Sequence, residues 1–534
     1  MKSEPQSSLV FQPRTHRHMQ RGVNKVVKSI RPTLGPTPRV VAVDRLVDQR
    51  MPEILDNGAV IAQRINELSN RDEDAGAMLV RDVVEAVRQQ AGDGTATAAV
   101  IFQHIFDAGI RHLSVGGDVN VLRKHLELGV CRIEEQLVAR AEPVVGGPDL
   151  SHLAESLCHD PDMALLIGEV LDTVGEYGRV EVRAGRNRDM TREYVEGMYW
   201  NRGAVSRSML TDQGRLRTEF IDGFLLLSDI DVQDPRQLLP VVVRALKDGV
   251  KSLLIVVGDI SDGALAFLAA NNDPNHFVSA VVKVPGWGKH ENAAALEDLA
   301  ILTGGTPFID AAGDRFDALT VEHLGRARRV WIGDSTFGIV GGRGDSKQLL
   351  RHINGLKALA EDSDNRVRHD HLVDRIGSII GGSATLWIGG STEIQIEQRV
   401  EMVKRTVSAM RGAVREGIVP GGGTALLDCR LALGTMIRDT PHPDAKAAYR
   451  ILAEAIAQPF RTIVDNAGYD VAETLARVNQ SDEGYGFDVN TGEIRSMIPA
   501  GIIDAAAVQR SAVRCAVTAA ALALTVEALV RRPR

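Results

Sequence analysis

Residues 91–113 read AGDGTATAAVIFQHIFDAGIRHL. Gly92 and Gly94 flank Asp93, and a helical pattern starts at once with Thr95. Glycine permits positive φ and lets the backbone come close to a ligand. A helix that begins directly after such a turn offers unpaired N–H groups and a partial positive charge to phosphate oxygens. Thr95 and Thr97 add hydroxyl donors, and Asp93 is a hard oxygen ligand suited to Mg2+. The plainer alternative is a turn whose Asp-Gly-Thr only caps the helix. A short glycine motif does not by itself decide between the two.

Outward from this turn the texture is mainly helical. Asn24 to Arg31 (NKVVKSIR) has apolar residues at helical spacing and is stopped by Pro32 and by Gly35-Pro36. Asp74 to Gln90 reads as another long helix. Between about Gly178 and Phe337, β-branched runs such as LLIVV (253–257) and SAVVKV (279–284) alternate with helical stretches. That alternation predicts an α/β domain with buried strands. A charged helical stretch covers 345–371, a strand follows at 384–388 (ATLWI), and helices resume from Glu393. Gly421-Gly422-Gly423 and a turn-rich segment, 484–503, interrupt them. One domain built from both termini, with an α/β domain inserted, is the economical arrangement.

With 534 residues, two to four domains are expected. A net charge of -8 speaks against a nucleic-acid surface. No stretch reaches roughly 18 apolar residues without a charge, so no membrane span is expected. Met1 to Gln20 is polar, and these twenty residues are expected to include a disordered extension. Cys131, Cys158, Cys429 and Cys515 are far apart, which suits a reducing compartment and predicts a cytoplasmic protein.

Three further segments bear on the turn at Asp93. Thr33-Leu34-Gly35-Pro36 ends a helix with a turn that exposes backbone N–H groups. Gly421 to Gly423 precede TALLDCRLAL, where a flat ring can lie on bare backbone. Gly486 to Gly492 (GFDVNTG) is turn-rich, and Asp504 follows an apolar run, as a ribose ligand or as a helix cap. In this order the segments resemble the nucleotide pocket of the group I chaperonins, the GroEL family. The resemblance extends from about Gly22 over nearly the whole chain. It includes EGM (196–198) with Arg202-Gly203, KVPGWG (283–288), LEDLAILTGGT (296–306), EGIVPGGGTAL (416–426) and 501–529.

The resemblance implies a multidomain α and α/β chaperonin fold. Residues 1–139 and 416–534 would form a helical equatorial domain, 140–195 and 384–415 a small intermediate domain, and 196–383 the inserted α/β apical domain. Gly197 and Gly381-Gly382 would be its hinges. ATP with Mg2+, and K+ as in the family, would be held by Thr33, Leu34, Gly35, Pro36, Asp56, Asp93, Gly94, Thr95, Ala96, Thr97, Gly422, Asp488, Val489, Asn490 and Asp504, with Asp93 on the metal. The implied partners are further copies of the chain in heptameric rings, a lid cochaperonin, and unfolded polypeptides. The polypeptides would lie on Leu239, Val242, Leu265, Ala269 and Ala270. Ala204, Ser208 and Met209 stand where the family commonly has aromatic residues, which predicts weaker capture.

The chain departs from the family at the chemistry. Asn57, with Asp56 one residue early, occupies one usual carboxylate position and Arg405 the other. An arginine cannot accept a proton at neutral pH. Glu401, one helical turn away, is a possible substitute, but about 5 Å displaced. Ala96 replaces a family threonine, and the chain ends Val530-Arg531-Arg532-Pro533-Arg534 without the Gly-Gly-Met tail. His369-Asp370-His371 with Asp374 looks like a metal cluster, but residues two apart on a helix do not share a face. The sequence therefore predicts an ATP-binding, polypeptide-binding chaperonin subunit with impaired hydrolysis. The alternative is a hydrolysis-deficient paralogue acting as holdase or scaffold. A small-molecule kinase would need a substrate base and a sugar or lipid pocket, and no segment supplies them.

Overall fold

The computed structural model describes residues 8–36, 39–44, 52–144, 147–175, 178–185, 187–196, 198–211, 216–273, 275–286, 288–363, 366–380 and 382–531. The chain divides into two compact units, one of 1–172, 184–189 and 388–534, the other of 173–183 and 190–387. Gly197 and Gly381 lie outside the described residues, as do residues 532–534. Segments 140–172 and 388–415 fall in the same unit as the helices of both termini.

The first unit is built around the helix Thr95–Ser114. From Thr95 to Phe102 every residue is buried, as expected of a helix that is apolar all round. It packs against the helices Arg14–Ile30, Arg71–Ala91, Pro443–Ala455 and Ala506–Ala523. Ala512, Ala516 and Ala520 of the last of these are wholly buried, and their small side chains allow close approach. Helices Arg14–Ile30 and Arg71–Ala91 touch backbone to backbone: a Cβ on Gly22 would run into the Glu73 carbonyl, and one on Gly76 into that of Met19.

Residues 1–7 of the expected N-terminal extension lie outside the described residues, and from Ser8 onward the chain forms a strand and a helix. The first helix starts at Arg14 instead of Asn24, and before it Ser8–Phe11 pairs antiparallel with Ala528–Arg531, Leu9 opposite Val530. The segment gains its structure from the other end of the chain, a partner that local patterning does not reveal.

The second unit holds a six-stranded mixed sheet in the order Val278–Lys283, Ser252–Val257, Arg217–Leu227, Gly325–Gly333, Phe337–Gly342 and Met198–Trp200. The first three strands are parallel. Leu253, Ile255 and Val257 pack into one core layer with helices Leu239–Lys247 and Asp262–Asn271, while Leu254 and Val256 pack into another with helix Lys289–Thr303. Burial on both faces is why these strands read as unbroken apolar runs.

Helices Ser346–Glu361 and Arg366–Ile380 are tied to Lys289–Thr303 by Asp298, which is only 2% exposed. Its carboxylate lies 2.6 Å from His352 Nε2 and accepts from Arg375 Nε and Nη2 at 2.9 and 2.7 Å. His369 Nδ1 lies against the Ala360 carbonyl, and no metal-holding group of three occurs among the described residues.

Candidate functional site

The first unit contains a cavity of about 950 Å3, and the turn after helix Arg71–Ala91 forms part of its wall. Gly92 and Gly94 have φ of 74° and 87°, which a side chain tolerates poorly. Gly94 is itself the N-cap of Thr95–Ser114 and brings no side chain to that task. Asp93 is therefore not a cap. Its carboxylate lines the cavity with no hydrogen bond or ion pair among the described residues. Thr95, Ala96 and Thr97, the first helical turn, line the same wall.

The other segments converge here. Thr33, Leu34, Gly35 and Pro36 form one side, held by Asn466 Nδ2, which donates to the carbonyls of Arg31 and Leu34 at 3.0 and 2.8 Å. Thr33 Oγ1 donates to the Ile30 carbonyl. Asp56 and Asn57 follow, and Asn57 Oδ1 caps helix Gly58–Arg64, accepting from the Ala59 and Val60 amides at 2.8 and 3.3 Å. Strand Ile418–Pro420 pairs with Ile503–Ala505, Val419 opposite Asp504, and so sets Asp504 near Gly422 in the wall. The Asp488 carboxylate is spent within its hairpin, accepting from the Asn490 amide and the Thr491 hydroxyl, both at 2.9 Å, while Val489 and Asn490 line the cavity. Ile463, Val489 and Ile498 give it an apolar side.

Asp504 keeps some surface toward the cavity yet lies deep among protein atoms. Burial, then the charge of Asp93, pushes its carboxyl up to about 7, against the opposing hydrogen bond from Gln509.

Helix Glu393–Glu416 lies directly on the glycine turn: a Cβ on Gly92 would come within 2.7 Å of the Arg405 carbonyl and 2.6 Å of Ser408 Cβ. That contact sets Arg405 in the cavity wall, half-buried and without a hydrogen-bond or ion-pair partner among the described residues. Glu401 shares that face of the helix but, a turn along the axis, does not reach the cavity. It is absent from the lining and accepts from Arg88 Nη1 at 3.3 Å, because one turn back the helix looks toward Arg71–Ala91. The substitute-carboxylate expectation is corrected accordingly.

Sequence reasoning missed His152, Glu155 and His159, on and just after helix Gly147–Cys158, which also line the cavity. No motif marks them. His159 has φ of 53°, rare for a residue with a side chain. Its side chain keeps exposed surface, yet the protein atoms around it and then the Arg405 charge lower its pKa, while Asp93, Asp56 and Glu155 act against that.

A family model described as the TCP-1/cpn60 chaperonin family matches residues 222–534, more than half of the chain. The chain belongs to that family. Among solved structures, it is similar to the chaperonin gp146 of bacteriophage EL 2 (Pseudomonas aeruginosa), crystallised in the presence of ATP-BeFx. At 18% identity, 98% of this chain and 99% of that one superpose with TM-scores of 0.78 and 0.68 for crystal forms I and II. This chaperonin therefore has the multidomain α and α/β fold of its family.

The second unit of this chaperonin presents an apolar stripe. Leu239, Val243 and Leu246 are 51%, 40% and 52% exposed on one face of helix Leu239–Lys247. Val242 was expected there, but it is 3% exposed and belongs to the core, because one residue along a helix turns by about a quarter of a circle. On the neighbouring helix Asp262–Asn271, Leu265 is half-buried while Ala269 and Ala270 are exposed. Met209 is buried and Ala204 packs on the core, so Ser208 alone of that trio is at the surface. Among the described residues no helix is long and apolar enough to cross a membrane.

Proposed function

We propose that this chaperonin binds ATP with Mg2+ in the cavity, assembles into rings, captures unfolded polypeptides, and hydrolyses ATP slowly. The observation that carries this is Asp93: an unpartnered carboxylate on a glycine turn that opens the buried helix Thr95–Ser114. The backbone N–H groups of that first turn and the hydroxyls of Thr95 and Thr97 suit phosphate oxygens. Bound Mg2+, held through Asp93, would neutralise phosphate charge. Asp504 suits the sugar, and the bare backbone at Gly422 with Val489 and Ile498 suits a flat base. The gp146 crystals grown with ATP-BeFx support the nucleotide assignment.

Slow turnover follows from what stands near the phosphates. Asn57 spends its side-chain oxygen as a helix cap, Arg405 cannot take a proton, and Glu401 is held by Arg88. No side chain at the family's carboxylate positions can orient and deprotonate water. A holdase or scaffold is the limiting case of the same chemistry. Heptameric rings, K+, a lid cochaperonin, the moving intermediate segments 140–195 and 384–415, and residence in the cytoplasm are taken over from the family as part of this proposal.

Calorimetry on the assembled size-exclusion fraction tests it. Wild type should bind ATP or ADP in millimolar Mg2+, and Asp93→Ala should abolish the Mg2+ dependence. A chain that neither assembles nor binds nucleotide sinks the proposal.

Capture is tested separately. Leu239→Ser with Leu246→Ser should markedly lower binding of an unfolded model client, since each large apolar side chain withdrawn from a contact forfeits roughly 1.5–3 kcal/mol. Unchanged capture would show that clients bind elsewhere.

A further inference from the structure

Helices Gly147–Cys158 and Pro161–Val174 are joined by two residues, His159 and Asp160. The link is fixed at both ends. The His159 amide donates to the Glu155 carbonyl at 2.8 Å, and Asp160 Oδ1 accepts from the Met163 amide at 3.1 Å. His159 takes its φ of 53° at this link, in the left-handed region that helix ends ordinarily give to glycine. A side chain kept in such a conformation costs stability, and residues of this kind gather at functional sites. This one lines the cavity with Asp56, Asp93 and Arg405. It is exposed, so water reaches it, and its ring makes no hydrogen bond or ion pair among the described residues.

A neutral imidazole carries one unprotonated nitrogen and can accept a proton, which neither Asn57 nor Arg405 can do at neutral pH. The ring also stands within electrostatic reach of Asp93, the residue proposed to meet the phosphates through Mg2+. We propose that His159 is the general base of the slow ATP hydrolysis, taking a proton from the attacking water. The water oxygen bonds to the γ-phosphorus as the bond from that phosphorus to the β,γ-bridging oxygen breaks. ADP leaves with that electron pair, inorganic phosphate forms, and the ring later returns the proton to solvent. Asp93, Asp56 and Glu155 favour the imidazolium so formed, while Arg405 opposes it. This rests on the nucleotide binding and slow turnover proposed above, and adds a catalytic residue outside the family's carboxylate positions.

The test is steady-state ATP turnover by the full-length assembled protein at about pH 8, where an ordinary imidazole is neutral. His159→Gly removes the ring and installs the residue that a left-handed φ prefers, so the backbone should hold. Its kcat should fall about ten- to hundredfold, at or below the low end of what a positioned base supplies, because no hydrogen bond orients the ring. KM should stay within about threefold, as expected when an interaction made only in the transition state is lost. Added imidazole should restore turnover in proportion to its neutral form, which a merely structural defect would not allow. His159→Asn also suits that φ but cannot take a proton, and should show the same loss if the glycine variant fails to assemble. Unchanged kcat in both variants overturns the inference while leaving nucleotide binding and slow turnover intact. Turnover kept in His159→Asn but lost in His159→Gly would make the residue a hydrogen-bonding group and refute the base. A raised KM with unchanged kcat would make it a phosphate ligand, which refutes it too. Failure of wild type to bind any nucleotide removes the underlying role and this inference with it.

Discussion

Asn57→Asp combined with Arg405→Asp should raise steady-state ATP turnover about 10²–10⁴-fold above wild type, the usual contribution of a positioned base. The fold should accept both changes. Asn57 acts locally as an N-cap for Gly58–Arg64, and aspartate caps as well as asparagine. Arg405 has no ion pair among the described residues to lose. Its helix is positioned by backbone contact with Gly92, so the side chain can change without shifting the frame. In wild type, a guanidinium about 4 Å from a phosphate oxygen attracts it by roughly 4 kcal/mol at an effective dielectric near 20, before desolvation is counted. That attraction favours a loaded state over turnover. An arginine beside the γ-phosphate can also stabilise the transition state, as arginine fingers do. It still needs a group that orients the water, and Asn57 is occupied as a cap. A steady-state ATPase assay decides. Normal chaperonin turnover in wild type, with no acceleration in the double variant, would sink the impaired-hydrolysis proposal and leave an active foldase.

What the sequence made legible was local. The glycine turn, the start of the helix at Thr95 and the strand near 253–257 depend on residues adjacent in the chain, and the structure places them where the pattern does. The segments expected to meet around Asp93 do line one cavity, because their order was matched to a family rather than derived from spacing. The misses are matters of phase and of long-range pairing. Val242 was placed on the right helix and the wrong face, and Glu401 sits one turn too far along its helix to reach the cavity. Ser8–Phe11 finds its strand partner at the far end of the chain. His152, His159 and Gln509 carry no motif, and only packing shows that they share the cavity with Asp93.

Asp298→Ala should cost about 3–5 kcal/mol, the usual loss when one partner of a buried ion pair is removed. Not every ion pair earns such a figure. Arg207 and Asp334 meet at 2.7 Å, but both are exposed, and solvent screens such pairs to little effect. Asp298 is buried, and three bonds converge on it from two other helices. Burial works against the Arg375 charge, yet the hydrogen bonds and charge of Asp298 outweigh it and hold that pKa above its ordinary value. Without Asp298 the burial remains and the compensation goes, with Glu297 at 4.0 Å the remaining carboxylate within reach among the described residues. His352 loses its partner at the same time. The damage should therefore appear jointly in helices Ser346–Glu361 and Arg366–Ile380. Hydrogen exchange by mass spectrometry should show their protection falling together by about 10²–10⁴-fold, while the helix Thr95–Ser114 in the other unit is unaffected. Asp298→Asn keeps one acceptor and should give an intermediate loss. If protection in the two helices fell by less than about tenfold in Asp298→Ala, the carboxylate would not be what fastens them.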